Sequence, residues 1–316
     1  MSRLSFSLTA ASAPLAAVEI TAGRVAGVSL EERGGRHVIA AHVIEPLPDE
    51  AVVPALNTAN VRDRAAVSGA LGRVLEQLGR PRRIGLIVGD PVVKVSLVKL
   101  QQVPSRAQDL EQVIRWQVRK SAPFAIEEAQ IGYQTGLRTD EGQEFIVTLA
   151  RRDVIDEYEA LCAGAGAHAG IVDLSTFNVV NTVLVGGSVP SGDWLLVNVA
   201  PGWESIAIMR GHHLIFFRSR GVDGEGTLAD LVHQTAMYYE DRLSGAGFSR
   251  VMLSGASVAG DADALRRGLA DRLATTVESV DATRAAALTD RVSAGGALLD
   301  TLAPLVGLIL RDREAA

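Results

Sequence analysis

The chain has 316 residues, 47% of them hydrophobic and 22% charged, and a formal net charge of −6. That length exceeds one ordinary core and predicts two domains. The acidic balance, with no Lys/Arg block, excludes a nucleic-acid surface, which needs a basic stripe against phosphates, and a single cysteine, Cys162, excludes a disulfide framework or a Cys-pair metal site.

Residues 1–14 carry Arg3 and the triplet Ala11-Ser12-Ala13 in the manner of a leader peptide, but Ser5, Ser7 and Thr9 break the apolar run. The expectation is a short disordered tail. Leu15 to Thr21, Val25 to Glu31 and His37 to Glu45 then read as three strands, the last two joined through Glu32-Arg33-Gly34-Gly35. A helix from Arg62 to Leu78 places Ala66, Leu71, Val74, Leu75 and Leu78 on its apolar side and ends at Gly79. Ile84 to Val88 has no polar side chain, as in a parallel strand covered on both faces.

The stretch from Val92 to Tyr133 carries the most information. Val93, Val95 and Leu97 alternate with Lys94 and Ser96, which predicts a strand with one wet side. Pro104 disfavours helix before it, and Ser105 with Gln108 predicts a capping box for a helix running to about Lys120. On that helix Leu110, Val113, Ile114, Trp116, Gln117 and Val118 span an arc of roughly 200°, about twice what one core needs. Burial in two directions, or a core on one side and a partner on the other, would account for it. A break follows at Ser121-Ala122-Pro123-Phe124.

Next come a strand from Glu144 to Ala150, a helix on which Cys162 packs at core spacing, and a strand from Gly170 to Asp173, with Asp173 capping the helix after it. The second half repeats this order. Leu195 to Ala200, Ser205 to Met209 and Leu214 to Arg220 predict three strands, followed by a helix from about Gly226 to Ser244, a buried strand Arg250 to Leu253 and a further helix. His212-His213 fall at a hairpin turn without other ligands at metal spacing, so no metal is assigned. Ala297 to Leu310 is apolar, is interrupted by Asp300 and Pro304, and is too short to span a bilayer. The chain thus predicts an α/β fold of two βββαβαβα halves, 15–190 with an inserted α+β subdomain at about 91–143, and 191–316.

Val103-Pro104, Leu110, Ile114-Arg115-Trp116, Pro123-Phe124, Glu127 or Glu128 and Tyr133-Gln134 fall in the order and spacing of a motif of the type IV pilus assembly protein PilM family. The chain resembles that family, and more distantly the cytoplasmic part of the type II secretion protein GspL. The resemblance implies an actin-like (RNase H-like) ATPase fold. It also implies a groove for the cytoplasmic N-terminal tail of a PilN-like inner-membrane protein, with Leu110, Ile114, Trp116, Val118, Pro123 and Phe124 as its residues.

The resemblance further implies a magnesium-nucleotide cleft, and there this chain departs from the family pattern. At the first phosphate turn, Glu19 replaces Asp, Thr21 replaces Gly and Ala26 replaces Lys, with Gly23 inside the turn. At the second, Asn198 loses a charge, Ala200 replaces Gly, Pro201 removes a donor, Gly202 follows, and Trp203 is large enough to fill a phosphate pocket. At the third site, which in the family lies against the adenosine, Ser254 and Gly255 persist, with Gly221 nearby. The favoured expectation is therefore a non-catalytic scaffold without cofactor, cytoplasmic and held at the inner membrane through its partner. The alternative is an ATP-binding switch in the same machinery, and a small-molecule kinase using Asp90 or Asp173 is the rival enzyme.

Overall fold

The computed structural model describes residues 14–187, 192–224, 226–288 and 295–311, so nearly all of the predicted N-terminal tail lies outside the described residues. Strand β1 (Ala16–Ile20) pairs antiparallel with β2 (Arg24–Arg33), and β2 with β3 (Arg36–Pro46). Gly34 (φ 59°) and Gly35 (φ 75°) turn the hairpin between β2 and β3 in the left-handed region that a two-residue turn of matching twist requires. Helix α1 (Arg64–Gln77) is N-capped by the Asp63 carboxylate, and Gly79, at φ 82°, lies just past its end. Strand β4 (Arg83–Val88) lies parallel beside β1, buried from Ile84 onward as its all-apolar run predicts.

The inserted subdomain is β5 (Val93–Leu100), α2 (Ala107–Arg119), β6 (Ala129–Thr139) and β7 (Gly142–Arg151), in a sheet of order β5-β7-β6. It is wider than expected, because the strand read at Glu144 to Ala150 pairs with β5 and β6 and with neither larger sheet. Strand β6, which the sequence reading did not single out, supplies its other edge. The single wet side of β5 is also revised. Leu97, on the supposed core face, is 36% exposed, whereas Val98 and Leu100 further along pack into the core under α2.

Helix α3 (Arg152–Gly164) buries Val154, Ile155, Tyr158, Leu161 and Cys162. Burial pushes the Cys162 thiol up to about 12, as befits a packing residue. Strand β8 (His168–Leu174) completes the first sheet beside β4, and α4 (Ser175–Val185) follows.

The second half builds β9 (Asp193–Ala200), β10 (Trp203–Arg210), β11 (His213–Gly221), α5 (Leu228–Arg242), β12 (Arg250–Ser254), α6 (Ala256–Ala259), α7 (Ala262–Leu273), β13 (Val277–Ser279), β14 (Ala287–Leu288) and α8 (Gly296–Leu310). Helix α5 starts on a capping box between Thr227 and Asp230. The two sheets share one strand order, β3-β2-β1-β4-β8 in the first and β11-β10-β9-β12-β13 in the second. This is the predicted repeat of topology. The expected limit of the second half is corrected at its end, because β14 joins the edge of the first sheet at β3 and α8 packs on β1, β2 and β4. Every position of α8 from Asp300 to Leu310 is buried, which explains a helix apolar all round there. Helices α4 and α8 lie against each other between the sheets, where Gly307 on α8 meets the Asn178 carbonyl on α4.

Candidate functional site

Two places gather the residues that the sequence singles out. The first is the cleft between the two large sheets, where Glu19, Thr21, Asn198 and Gly255 line one cavity of about 20 Å³ with Arg24, Ser175 and Asp300. Glu19, near the end of β1, is 2% exposed and accepts hydrogen bonds from the Ser175 hydroxyl (2.9 Å) and the Arg24 guanidinium (3.4 Å). Burial pushes its carboxyl up, and Arg24 and Ser175 hold it down. The turn after β1 closes on itself, since the Thr21 N–H (2.9 Å) and hydroxyl (3.1 Å) both donate to the Arg24 carbonyl.

Across the cleft the Asn198 amide donates to the Thr176 hydroxyl at 2.9 Å. Thr176, second residue of α4, donates its N–H (3.1 Å) and its hydroxyl to the fully buried Asp90. Asp90 thus belongs to a tie running from β4 through α4 to β9, and not to an exposed turn. Burial pushes its carboxyl up to about 6 against the Thr176 hydrogen bonds, with the nearby Glu19 adding to the rise. A carboxyl whose folded value lies above its unfolded one holds its proton more tightly in the native state. Its stabilisation is present below about pH 4 and is lost as pH rises through about 6. Asp90→Asn should therefore flatten that part of the melting-temperature profile, and an unchanged slope would place the ionisation elsewhere.

Gly255 has φ 78°, and a Cβ there would sit 1.8 Å from the Val199 carbonyl oxygen, so the close approach of β9 alone demands glycine. Its N–H and that of Ser257 each donate at 2.8 Å to the two carboxylate oxygens of Asp300, which is 8% exposed. Ala200 and Pro201 line the cavity too, whereas Gly23, Gly202, Gly221 and Ser254 do not. Gly23 makes the β1–β2 turn, and its carbonyl accepts the Leu47 N–H. Gly202 (φ 90°) turns β9 into β10, and Gly221 stands opposite Trp203 in the ladder. The Ser254 hydroxyl is buried without a protein partner among the described residues.

Two expectations are corrected here. Trp203 does not fill the cavity; it is buried beside Gly89, where an added Cβ would meet the indole nitrogen at 3.1 Å and Pro54 at 3.2 Å. Asp173 is no helix cap, because α4 begins after Leu174 without a side-chain cap and Asp173 pairs with the buried Arg311 at 3.0 Å. Burial pushes the Asp173 carboxyl up to about 7, and Arg311 opposes that. Sequence reasoning missed Arg24, Ser175, Thr176 and the role of Asp300. The last had a signal, since a lone carboxylate inside an apolar helix must find a buried partner.

The second place is the inserted subdomain. Helix α2 starts one residue later than predicted, with Arg106 at its N-cap and no side-chain cap, so the Ser105–Gln108 box does not form. Ile114 and Val118 are buried with Leu100, Ile126, Phe145, Val147 and Leu149, so as α2 is seated they are core and no partner reaches them. Gln117, counted in the apolar arc, is exposed. Arg115 does not pair with Glu111 but donates to the Ile126 carbonyl at 2.8 Å, fastening α2 to the turn after it. Leu110, Val113 and Phe124 are half-buried, Pro123 is exposed, and Trp116 is 64% exposed. Leu110, Val113 and Trp116 follow one i,i+3 ridge of the helix.

The family whose pattern matches residues 17–246 is described as the type IV pilus assembly protein PilM. Among solved structures, the chain is similar to a PilM-PilN type IV pilus biogenesis complex at a TM-score of 0.79 and 17% identity, covering 95% of this chain and 98% of that one. It is similar to a protein of actin-like ATPase fold and unknown function from Bacteroides thetaiotaomicron at a TM-score of 0.50 and 8% identity, covering 83% and 89%. With the cytoplasmic domain of EpsL, an inner-membrane component of the Vibrio cholerae type II secretion system, the TM-score is 0.45 at 10% identity, covering 78% and 87%.

Proposed function

Since the chain belongs to the family of the type IV pilus assembly protein PilM, we propose that it is a non-catalytic scaffold of the pilus inner-membrane assembly complex, working from the cytoplasmic side and binding the N-terminal tail of a PilN-like membrane protein. The observation that carries this reading is Trp116. Of the three tryptophans, Trp194 and Trp203 are buried, whereas Trp116 stands 64% exposed at the end of the Leu110–Val113 ridge. A large aromatic left in water beside half-buried apolar groups is the usual anchor of an interface. The relative solved as a PilM-PilN complex has the same fold over nearly the whole chain, which supports a PilN-like occupant. Recruitment through such a partner also suits a chain with no helix, among the described residues, long and apolar enough to cross a membrane.

Trp116 makes the test direct. A synthetic peptide of the PilN-like tail should shift the protein's tryptophan emission to the blue and reduce its quenching by acrylamide. Trp116→Phe should abolish that signal while binding, followed by calorimetry, persists. Calorimetric binding with unchanged quenching would put the tail elsewhere.

A further inference from the structure

An actin-like ATPase fold implies a magnesium-nucleotide between its lobes, and the residues of this cleft do not fit one. We infer that the cleft is closed from within: Asp300 supplies the anion that the turn after β12 receives, Arg24 supplies the cation that Glu19 receives, and the lobes are held together without nucleotide.

The backbone donors that the turn after β12 would offer a nucleotide are already taken. Both oxygens of Asp300 accept backbone N–H groups, from Gly255 and Ser257, at 2.8 Å. A nucleotide group that accepted them instead would displace that carboxylate and leave it as an unpaired, nearly buried charge. The acceptor that would hold hydrated magnesium is also satisfied, since Glu19 takes the Ser175 hydroxyl on one oxygen and Arg24 on the other. Magnesium keeps several of its waters, and a cavity of about 20 Å³ has room for about one water. Small-molecule pockets run to about 300–1,000 Å³.

These ties also cross the molecule. Asp300 lies on α8, which packs on the first sheet, and Gly255 and Ser257 follow β12 of the second. Asn198 on β9 reaches Thr176 on α4, and Thr176 reaches Asp90 after β4. Domain closure that a bound ligand drives in hinged proteins is here supplied by side chains. The surviving Gly255 is no mark of a nucleotide site, because the Val199 carbonyl alone requires it.

The inference is independent of the tail assignment, and its test needs no peptide. The full chain is unfolded thermally with and without millimolar Mg-ATP or Mg-ADP. The expected result is no shift, where a ligand at about 100 times its dissociation constant would raise the midpoint by about 4 °C. Asp300→Asn turns one acceptor into a donor facing a backbone N–H, so it should lower the midpoint and speed amide exchange at residues 255–257, leaving exchange in β5–β7 unchanged. Arg24→Gln should lower the midpoint as well. A nucleotide shift of about 4 °C or more in the unaltered protein would overturn the inference, and so would an Asp300→Asn protein with unaltered midpoint and exchange. If Asp300→Asn does not fold, the nucleotide scan and Arg24→Gln still decide.

Discussion

Gly307→Ala should be one of the most damaging single-methyl changes among the described residues. A Cβ at Gly307 would lie 1.8 Å from the Asn178 carbonyl oxygen and 2.6 Å from the Thr182 hydroxyl, which itself donates to the Ala303 carbonyl across the same contact. None of these can yield alone. Asn178 O belongs to the backbone of α4, and α8 is pressed from the other side by the first sheet, where Leu308 occupies the space that a Cβ on Gly85 would need. The two helices must move apart, and overpacking of a filled core costs about 3 kcal/mol in cases like this. The midpoint should fall by roughly 5 °C or more. Gly268→Ala is the control: it lies exposed within α7 with nothing near its Cβ position, and it should gain up to about 1 kcal/mol from helix propensity. Equal effects of the two substitutions would show that the α4–α8 contact can open without cost.

The second large effect separates core from surface on α2. Ile114→Asp puts a carboxylate among Leu100, Val118, Phe145 and Val147, at a site with no exposure. It should cost roughly 3 kcal/mol or more and unseat the helix, so that tail binding disappears together with the fold of the subdomain. Trp116→Asp changes only the exposed end of the ridge. Its midpoint should stay within about 1 °C of the unaltered protein, while binding of a PilN-like tail weakens about 30-fold or more, the loss expected for an interface anchor worth about 2 kcal/mol. Calorimetric titration and thermal unfolding of both variants check this. Trp116→Asp binding as tightly as the unaltered protein would remove Trp116 from the interface and leave the ridge as ordinary surface.

The comparison of these two residues also shows what a sequence can say here. Period-two and period-3.6 patterns located β1 to β4, α1 and the strands β9 to β12 nearly to the residue, because those elements present one apolar face, or two, to large cores. The repeat of topology was legible for the same reason. The arc on α2 was legible as apolar but not as divided, since hydrophobicity does not say whether Trp116 or Ile114 turns inward. The seating of α2 on the core it shares with Leu100, Phe145 and Val147 decides that, and such seating is a long-range fact. The cleft was harder still. Glu19, Thr21, Asn198 and Gly255 were found because a motif placed them, and they do meet around one cavity. Their partners were not, because the turn from Gly255 to Ser257 lies over forty residues from Asp300, and Asp173 is separated from Arg311 by 138. Only the oddity of an acid in an apolar run marked Asp300. The end of the second half was misplaced because α8 returns to the first sheet, and amphipathic patterning cannot name the sheet that a helix apolar on all sides will cover.

That return has a consequence for how the protein is made. The strands β1, β2 and β4 all lie before residue 89, yet the helix that covers them spans residues 296–310. Synthesis at about 5–20 residues per second leaves that sheet without its cover for on the order of ten seconds or more. The first-made sheet therefore stays an open apolar surface until α8 arrives, and such surfaces are prone to aggregate. The first half cannot finish folding ahead of the second, and pairings so distant in sequence make for slow closure. Cooler growth, which weakens apolar association, should favour recovery of the folded protein.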